Sequence, residues 1–317
     1  MNRRFLFLSL CLAAALLAVL AALVSPASNA ADSPDEEFDH PTVVALLAGL
    51  PTPQYVTIPW RPGRFTEFQM GTAAEGRVTA RSGNLHGRLY QPPQPGPAPY
   101  AILLAGCGDT YMGANILWLK LWARALQDIG VGALTIDSFE VRGVKTGVCG
   151  NGSKLWAQRR VDDIYSSLDW LASQPQVDRR RIAVMGMSNG GRAALLAASA
   201  TENARFRRFA AAVAVYPTCD RLPPHELMMP ALVLLGAADI EAHPAICEQY
   251  VAARQNGVNP PQVHVYPDAL HLFDVFPRDE NYNNPEVIAS RAHVLSFLQQ
   301  ALNIHEPATQ RTATPAQ

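Results

Sequence analysis

The chain has 317 residues, 49% of them hydrophobic and 17% charged, which is enough apolar material for the large core of a single α/β enzyme domain. Its 26 basic and 27 acidic side chains leave a formal net charge of −1, which excludes the basic surplus that nucleic-acid binding needs. No Cys-x-x-Cys or cysteine/histidine cluster has metal-ligand spacing, which argues against a structural metal.

In chain order, Arg3 and Arg4 precede an uncharged apolar run over residues 5–24, and the small residues Ser28 and Ala30 follow. A basic start, an apolar centre and a small-residue exit read as a signal peptide over residues 1–30, cut after Ala30. The length of the run keeps an uncleaved membrane anchor as the alternative. Cys11 is no lipid-attachment site, because bulky Leu10 precedes it and the apolar run continues past it. Export, to the periplasm or beyond the cell, would leave Cys107, Cys149, Cys219 and Cys247 in an oxidising compartment. Four cysteines there favour two disulfides, with three connectivities open.

Residues 31–54 are acidic and then proline-interrupted, and read as an extension draped over the surface. The stretch RVTARSGNLHGRLY, residues 77–90, alternates about Ser82, Gly83 and Asn84 and predicts a hairpin. Residues 31–99 are thus an N-terminal extension and edge hairpin of the same domain, closed by a proline-rich connector at 92–99. Short apolar runs then recur at 100–105, 132–136, 182–185, 210–216, 231–235 and 263–266. Helix-length segments separate most of them: Val161, Ile164, Tyr165, Leu168 and Leu171 line one helical face, and 116–129 and 287–302 predict further helices. Runs that are apolar at nearly every position suit strands covered on both sides. The core at 100–304 therefore predicts an α/β fold with a mainly parallel central sheet and helices on both faces. The tail at 305–317 is polar and reads as disordered.

Chemistry enters at RIAVMGMSNGG, residues 181–191. Glycines flanking Ser188 between a strand and a helix suit a nucleophile on a strained turn, although a G-x-S-x-G alone is weak evidence. A serine needs a base and the base an orienting acid, in the chain order Ser, acid, His for this arrangement. Asp239 follows the run at 231–235, and His271 follows the run at 263–266. Three strand ends offering Ser188, Asp239 and His271 in that order are far more specific than the serine pattern. Other candidates fit less well. His243 is too close to Asp239, His264 lies within a strand and His293 within a helix. His40, His86 and His225 precede the acid, and His305 is in the tail. Asp220 follows an earlier strand, and Asp268 is too near His271. An oxyanion needs two backbone N–H donors. Asn189, after the nucleophile, and Cys107, in the AGCGD loop after the run at 100–105, are the candidates.

These residues together resemble the dienelactone hydrolase family within the α/β-hydrolase fold, over roughly residues 100–274. The resemblance is carried by AILLAGCGD, DSFEVRGV, RIAVMGMSNGG, VYPTC and YPDALHLFD. It implies the nucleophile at Ser188, the acid at Asp239 and the base at His271. Founding members use a cysteine nucleophile, so a lactone substrate is not implied here. Relatives with a cysteine in the oxyanion loop usually read His-Gly-Cys-Gly-Gly, where this chain has Ala105 and Asp109 at the two ends. An aspartate turned inward would oppose a developing oxyanion. Arg142 fixes the loop after its strand, pairs with Asp109, or binds a substrate carboxylate. Strand-end positions favour Cys107–Cys149, two loops at one sheet edge, and Cys219–Cys247. The expectation is an exported serine hydrolase acting on carboxylic esters through an acyl-enzyme, a chemistry that requires no cofactor. A peptidase or acyltransferase on the same triad and a catalytically inactive binding protein are the alternatives. Oligomeric state is left open.

Overall fold

The computed structural model describes residues 52–60, 83–108, 110–111, 113–144, 147–150, 153–199, 208–275 and 285–304. The expected signal peptide or anchor, the expected extension at 31–54 except for its last three residues, residues 77–82 of the predicted hairpin, the expected tail, Cys11, His40, His305 and Asp109 lie outside them.

Among the described residues, eight strands form one sheet: β1 Gln54–Trp60, β2 Gly83–Tyr90, β3 Ala98–Leu104, β4 Gly132–Asp137, β5 Val177–Met187, β6 Ala211–Val215, β7 Ala231–Gly236 and β8 Gln262–Tyr266. Their spatial order is β1-β2-β4-β3-β5-β6-β7-β8. From β4 to β8 all neighbours are parallel, and β2 is antiparallel to both β1 and β4. Described helices are α1 Gly113–Asp128, α2 Ser153–Ala172, α3 Asn189–Ala198, α4 Pro244–Ala252 and α5 Pro285–Ala301, with a 3-10 turn at Glu140–Arg142. None of them is long and apolar enough to cross a membrane.

The early strands correct the predicted hairpin. Gly83 and Asn84, expected in a turn, begin β2 and pair with Trp60 and Pro59 of β1. The sequence QYVTIPW makes β1 because Ile58 and Trp60 are buried while Tyr55, Thr57 and Pro59 face out, a period of two. Pro59 lacks an N–H, which an edge strand tolerates. Only β2 therefore runs against the others.

Strands β3, β4, β6 and β7 are buried at every residue, as a sheet covered on both faces requires. One face presents Ile102, Leu104, Val184 and Ala212 to Ile164 and Leu168 of α2 and to Ala194 and Ala197 of α3. Alternate residues Leu103, Met185, Val213 and Leu234 are as deeply buried on the other, where α1 packs on β3 and β4 and α5 on β6 and β7. Each such leucine or valine contributes about 1.5–3 kcal/mol on leaving water. The chain passes from β3 to β4 on one side and on to β5 on the other, so the strand order reverses beside β3. The crevice outside the carboxyl ends of β3 and β5 is where such sheets hold their sites. Leu104 of β3 is level with Gly186 of β5, which brings the AGCG loop alongside Ser188.

Candidate active site

Ser188 sits between β5 and α3 with φ 50° and ψ −116°, a backbone state that costs of order 1–3 kcal/mol for a non-glycine residue. Its N–H is anchored on the carbonyl of Val215, 2.9 Å away. The sharp turn presses backbone on backbone. A Cβ on Gly186 would lie 2.3 Å from the carbonyl of Gly190, and one on Gly190 would lie 2.4 Å from the carbonyl oxygens of Leu104 and Ala105. Both glycines are therefore demanded by space.

Asp239 follows β7 and His271 follows β8. Their loops are tied by the Ala238 N–H to the Ala269 carbonyl at 3.1 Å. The Nδ1 of His271 lies 2.7 Å from Asp239 Oδ2, and its Nε2 lies 3.0 Å from Ser188 Oγ. The other carboxylate oxygen, Oδ1, accepts the N–H groups of Glu241 and Ala242 at 2.8 and 2.9 Å. Burial works to raise the pKa of Asp239. The hydrogen bonds from His271, Ala242 and Glu241 outweigh it and hold the carboxyl below its ordinary value. An ionised Asp239 fixes the imidazole with Nδ1 as donor, leaving Nε2 free to accept from Ser188.

The remaining described histidines are elsewhere. His86 meets Glu140 at 2.8 Å, His264 stacks on His293 at 3.7 Å, and His293 meets the Tyr266 hydroxyl at 2.8 Å. His243 is exposed at the N-cap of α4, and His225 lends its carbonyl to Arg254. Among the described residues, no group of three or more His, Cys, Asp or Glu side chains could hold a metal.

The AGCG loop lies against the serine. Gly106 donates its N–H to Asn115 Oδ1 at 2.9 Å, so that amide is already committed. Cys107 accepts the Val148 N–H at 2.6 Å and is disulfide-bonded to Cys149. The second disulfide, Cys219–Cys247, joins the loop after β6 to α4. Asn189, as the first residue of α3, has a backbone N–H with no partner inside the helix. Its side-chain Nδ2 donates to the Ser153 carbonyl at 2.5 Å, and its Oδ1 accepts from Arg160 at 3.0 Å.

Arg142 grips Asp163 with two hydrogen bonds of 2.9 and 2.7 Å and the Ser138 carbonyl at 2.5 Å. Both side chains of that pair are buried. Of the three readings, Arg142 serves the loop after β4. Buried with Asp163 and holding both of its carboxylate oxygens, Arg142 does not face a substrate, which corrects the reading of a substrate-carboxylate ligand; the pairing with Asp109 lies outside the described residues.

Two groups around the site were not singled out in the sequence. Arg160, on α2, is wholly buried behind the AGCG loop. Burial lowers its pKa to about 10 against the opposing pull of Asp163 and Asp137, so it stays charged at neutral pH. Tyr216, at the end of β6, lays its ring 4.9 Å from the His271 ring and donates its hydroxyl to Asp274 Oδ1 at 2.5 Å. Asp274 Oδ2 also accepts the indole N–H groups of Trp118 and Trp122, at 2.9 and 3.0 Å.

The dienelactone hydrolase family model matches residues 147–302, a span that contains Ser188, Asp239 and His271. No curated protein matches the chain. Among solved structures, a Klebsiella pneumoniae protein assigned as a dienelactone hydrolase is 19% identical with a TM-score of 0.56, covering 78% of this chain and 99% of that one. A butyrate-bound esterase of Thermogutta terrifontis is 15% identical with a TM-score of 0.55, covering 73% and 94%. A lidless α/β serine hydrolase of Xanthomonas campestris is 19% identical with a TM-score of 0.50, covering 83% and 97%. At these identities the likeness is one of fold.

Proposed function

Taking as premise that residues 147–302 carry a dienelactone hydrolase family domain on an α/β-hydrolase fold, we propose that the protein is a serine hydrolase cleaving small carboxylic esters through an acyl-enzyme. The observation that carries this reading is the hydrogen-bonded row Ser188 Oγ, His271 Nε2, His271 Nδ1, Asp239 Oδ2, with links of 3.0 and 2.7 Å. His271 takes the Ser188 proton as Oγ adds to the ester carbonyl. Asp239 stabilises the imidazolium, and the N–H groups of Asn189 and Cys107 receive the oxyanion. The proton passes to the departing alkoxide, leaving an acyl-serine. Water, deprotonated by the same histidine, then releases the acid. No step draws on a cofactor.

Esters rather than peptides are favoured because esterases stand among the structural neighbours, one with butyrate bound, so short acyl chains are the first substrates to test. Two disulfides support an exported setting, periplasmic or secreted. The test is hydrolysis of p-nitrophenyl butyrate by oxidised protein, together with fluorophosphonate labelling. Ser188→Ala is expected to lose at least about 1000-fold in kcat and all labelling. Turnover near wild type in that variant would overturn the assignment. An unlabelled, inactive wild type would favour the non-catalytic alternative.

A further inference from the structure

A single guanidinium nitrogen meets both of the loops that would hold the oxyanion. Arg160 Nη1 donates to the Ala105 carbonyl at 2.8 Å, the Gly106 carbonyl at 3.3 Å and Asn189 Oδ1 at 3.0 Å. We propose that Arg160 is the positioning residue of the oxyanion hole, setting both N–H donors from behind; this rests on the serine-hydrolase reading above.

The argument is one of peptide geometry. In a trans peptide the C=O and the N–H point in opposite directions. The Ala105–Gly106 peptide is pinned at both ends, its carbonyl on Arg160 and its N–H on Asn115 Oδ1. The next peptide has its Gly106 carbonyl on Arg160, so the Cys107 N–H is turned to the side away from the guanidinium. Gly106 itself lies against Ser188, with the serine Cβ 3.7 Å from where a glycine Cβ would be. The other donor belongs to Asn189, whose side chain is fixed between Arg160 and the Ser153 carbonyl at the start of α2. One side chain thus sets the spacing of two donors that come from different strand ends. It also places a full positive charge behind the hole, in a buried setting where screening is weak. Burial weighs most against that charge, and the nearby Asp163 and Asp137 offset it only in part, while Arg142 opposes it. Arg160 touches no substrate in this scheme, and acts only through the two amides.

The test uses the oxidised full chain with p-nitrophenyl butyrate as substrate and butylboronic acid, whose tetrahedral serine adduct carries an oxyanion. Arg160→Lys keeps the charge, but its shorter side chain ends one bond short of the Nη1 position that meets the three acceptors. Asn189→Ala keeps the backbone donor and removes its tether. Each is expected to lower kcat by about 10- to 100-fold with KM within twofold, as misplacement of a preorganised donor does. Boronate affinity should fall by the same factor while thermal unfolding remains cooperative. If Arg160→Lys does not fold, Asn189→Ala decides alone. Folded variants with kcat within threefold of wild type overturn the proposal, and so does a kcat loss with unchanged boronate affinity. Wild-type protein that neither turns over ester nor binds boronate would sink the hydrolase reading and this one with it. An active wild type with equally active variants removes only the positioning role.

Discussion

At the scale of single residues, Gly190 shows how the serine turn overrides helix propensity. It lies in the first turn of α3, and within a helix replacing glycine with alanine ordinarily stabilises by about 1 kcal/mol. Here the added Cβ would meet two main-chain oxygens of β3 and its loop at 2.4 Å, and backbone cannot swing aside as a side chain can. Gly190→Ala is therefore expected to destabilise the protein by about 3 kcal/mol, the upper end of ordinary overpacking costs. Urea unfolding of the variant against wild type measures it; an unchanged or higher midpoint would show that the turn has room to spare. The glycine requirement was legible in GMSNGG because a turn between an apolar run and a helix is a local signal. Ser188, Asp239 and His271 were nameable for the same reason, each following the apolar run of a strand. Arg160 was not. It stands in the polar run QRRVDD of α2, where arginine ordinarily faces solvent, and only the packing of α2 against the AGCG loop turns it inward.

At the scale of elements, the strand and helix alternation from β3 onward was legible because both faces of those strands are covered and leave continuous apolar runs. The start of the sheet was misread. β1 is paired by β2, which follows it in the sheet only after residues 61–82, so the apparent symmetry around Ser82 stood in for a pairing with a more distant segment. Loops bring a second element-scale effect. Cys107–Cys149 closes 42 residues and ties the loop after β3 to the loop after β4, beside the Val148 to Cys107 hydrogen bond. Cys219–Cys247 closes 28 residues and clamps α4. Chain entropy alone gives each about 4 kcal/mol, so double replacement of either pair by serine should lower stability comparably. Activity should separate them. Loss of Cys107–Cys149 frees the loop that carries a proposed oxyanion donor and is expected to cut kcat several-fold, while loss of Cys219–Cys247 leaves kcat nearly unchanged. Paired unfolding and p-nitrophenyl butyrate assays check this, and equal activity losses would show that the first bridge has no special hold on the site.

At the scale of the whole molecule, Asp274 is where distant parts of the chain meet. It joins α1 through Trp118 and Trp122 to the end of β6 through Tyr216, whose ring supports His271. Contacts across 152 and 156 residues leave no periodic trace, which is why LHLFD gave the histidine and not this aspartate. Burial raises the pKa of Asp274, even though the hydrogen bonds from Tyr216, Trp122 and Trp118 favour its charged form. In the unfolded chain an aspartate ionises near pH 4. Above that pH, and up to the elevated folded value, the native state holds a proton that the unfolded state has released. Stability must then fall as pH rises, by up to about 1.4 kcal/mol per pH unit. Asp239 acts in the opposite sense and in another window: its folded pKa is depressed, so its contribution is complete above the ordinary carboxylate value and disappears only in stronger acid. Asp274→Asn keeps an oxygen for the two indoles and an N–H for the Tyr216 hydroxyl, while removing the titration. Urea unfolding of both proteins from pH 4 to 8 should show wild type losing stability relative to Asp274→Asn as pH rises. A constant difference across that range would mean that Asp274 ionises at an ordinary pH and that its three donors compensate fully for burial.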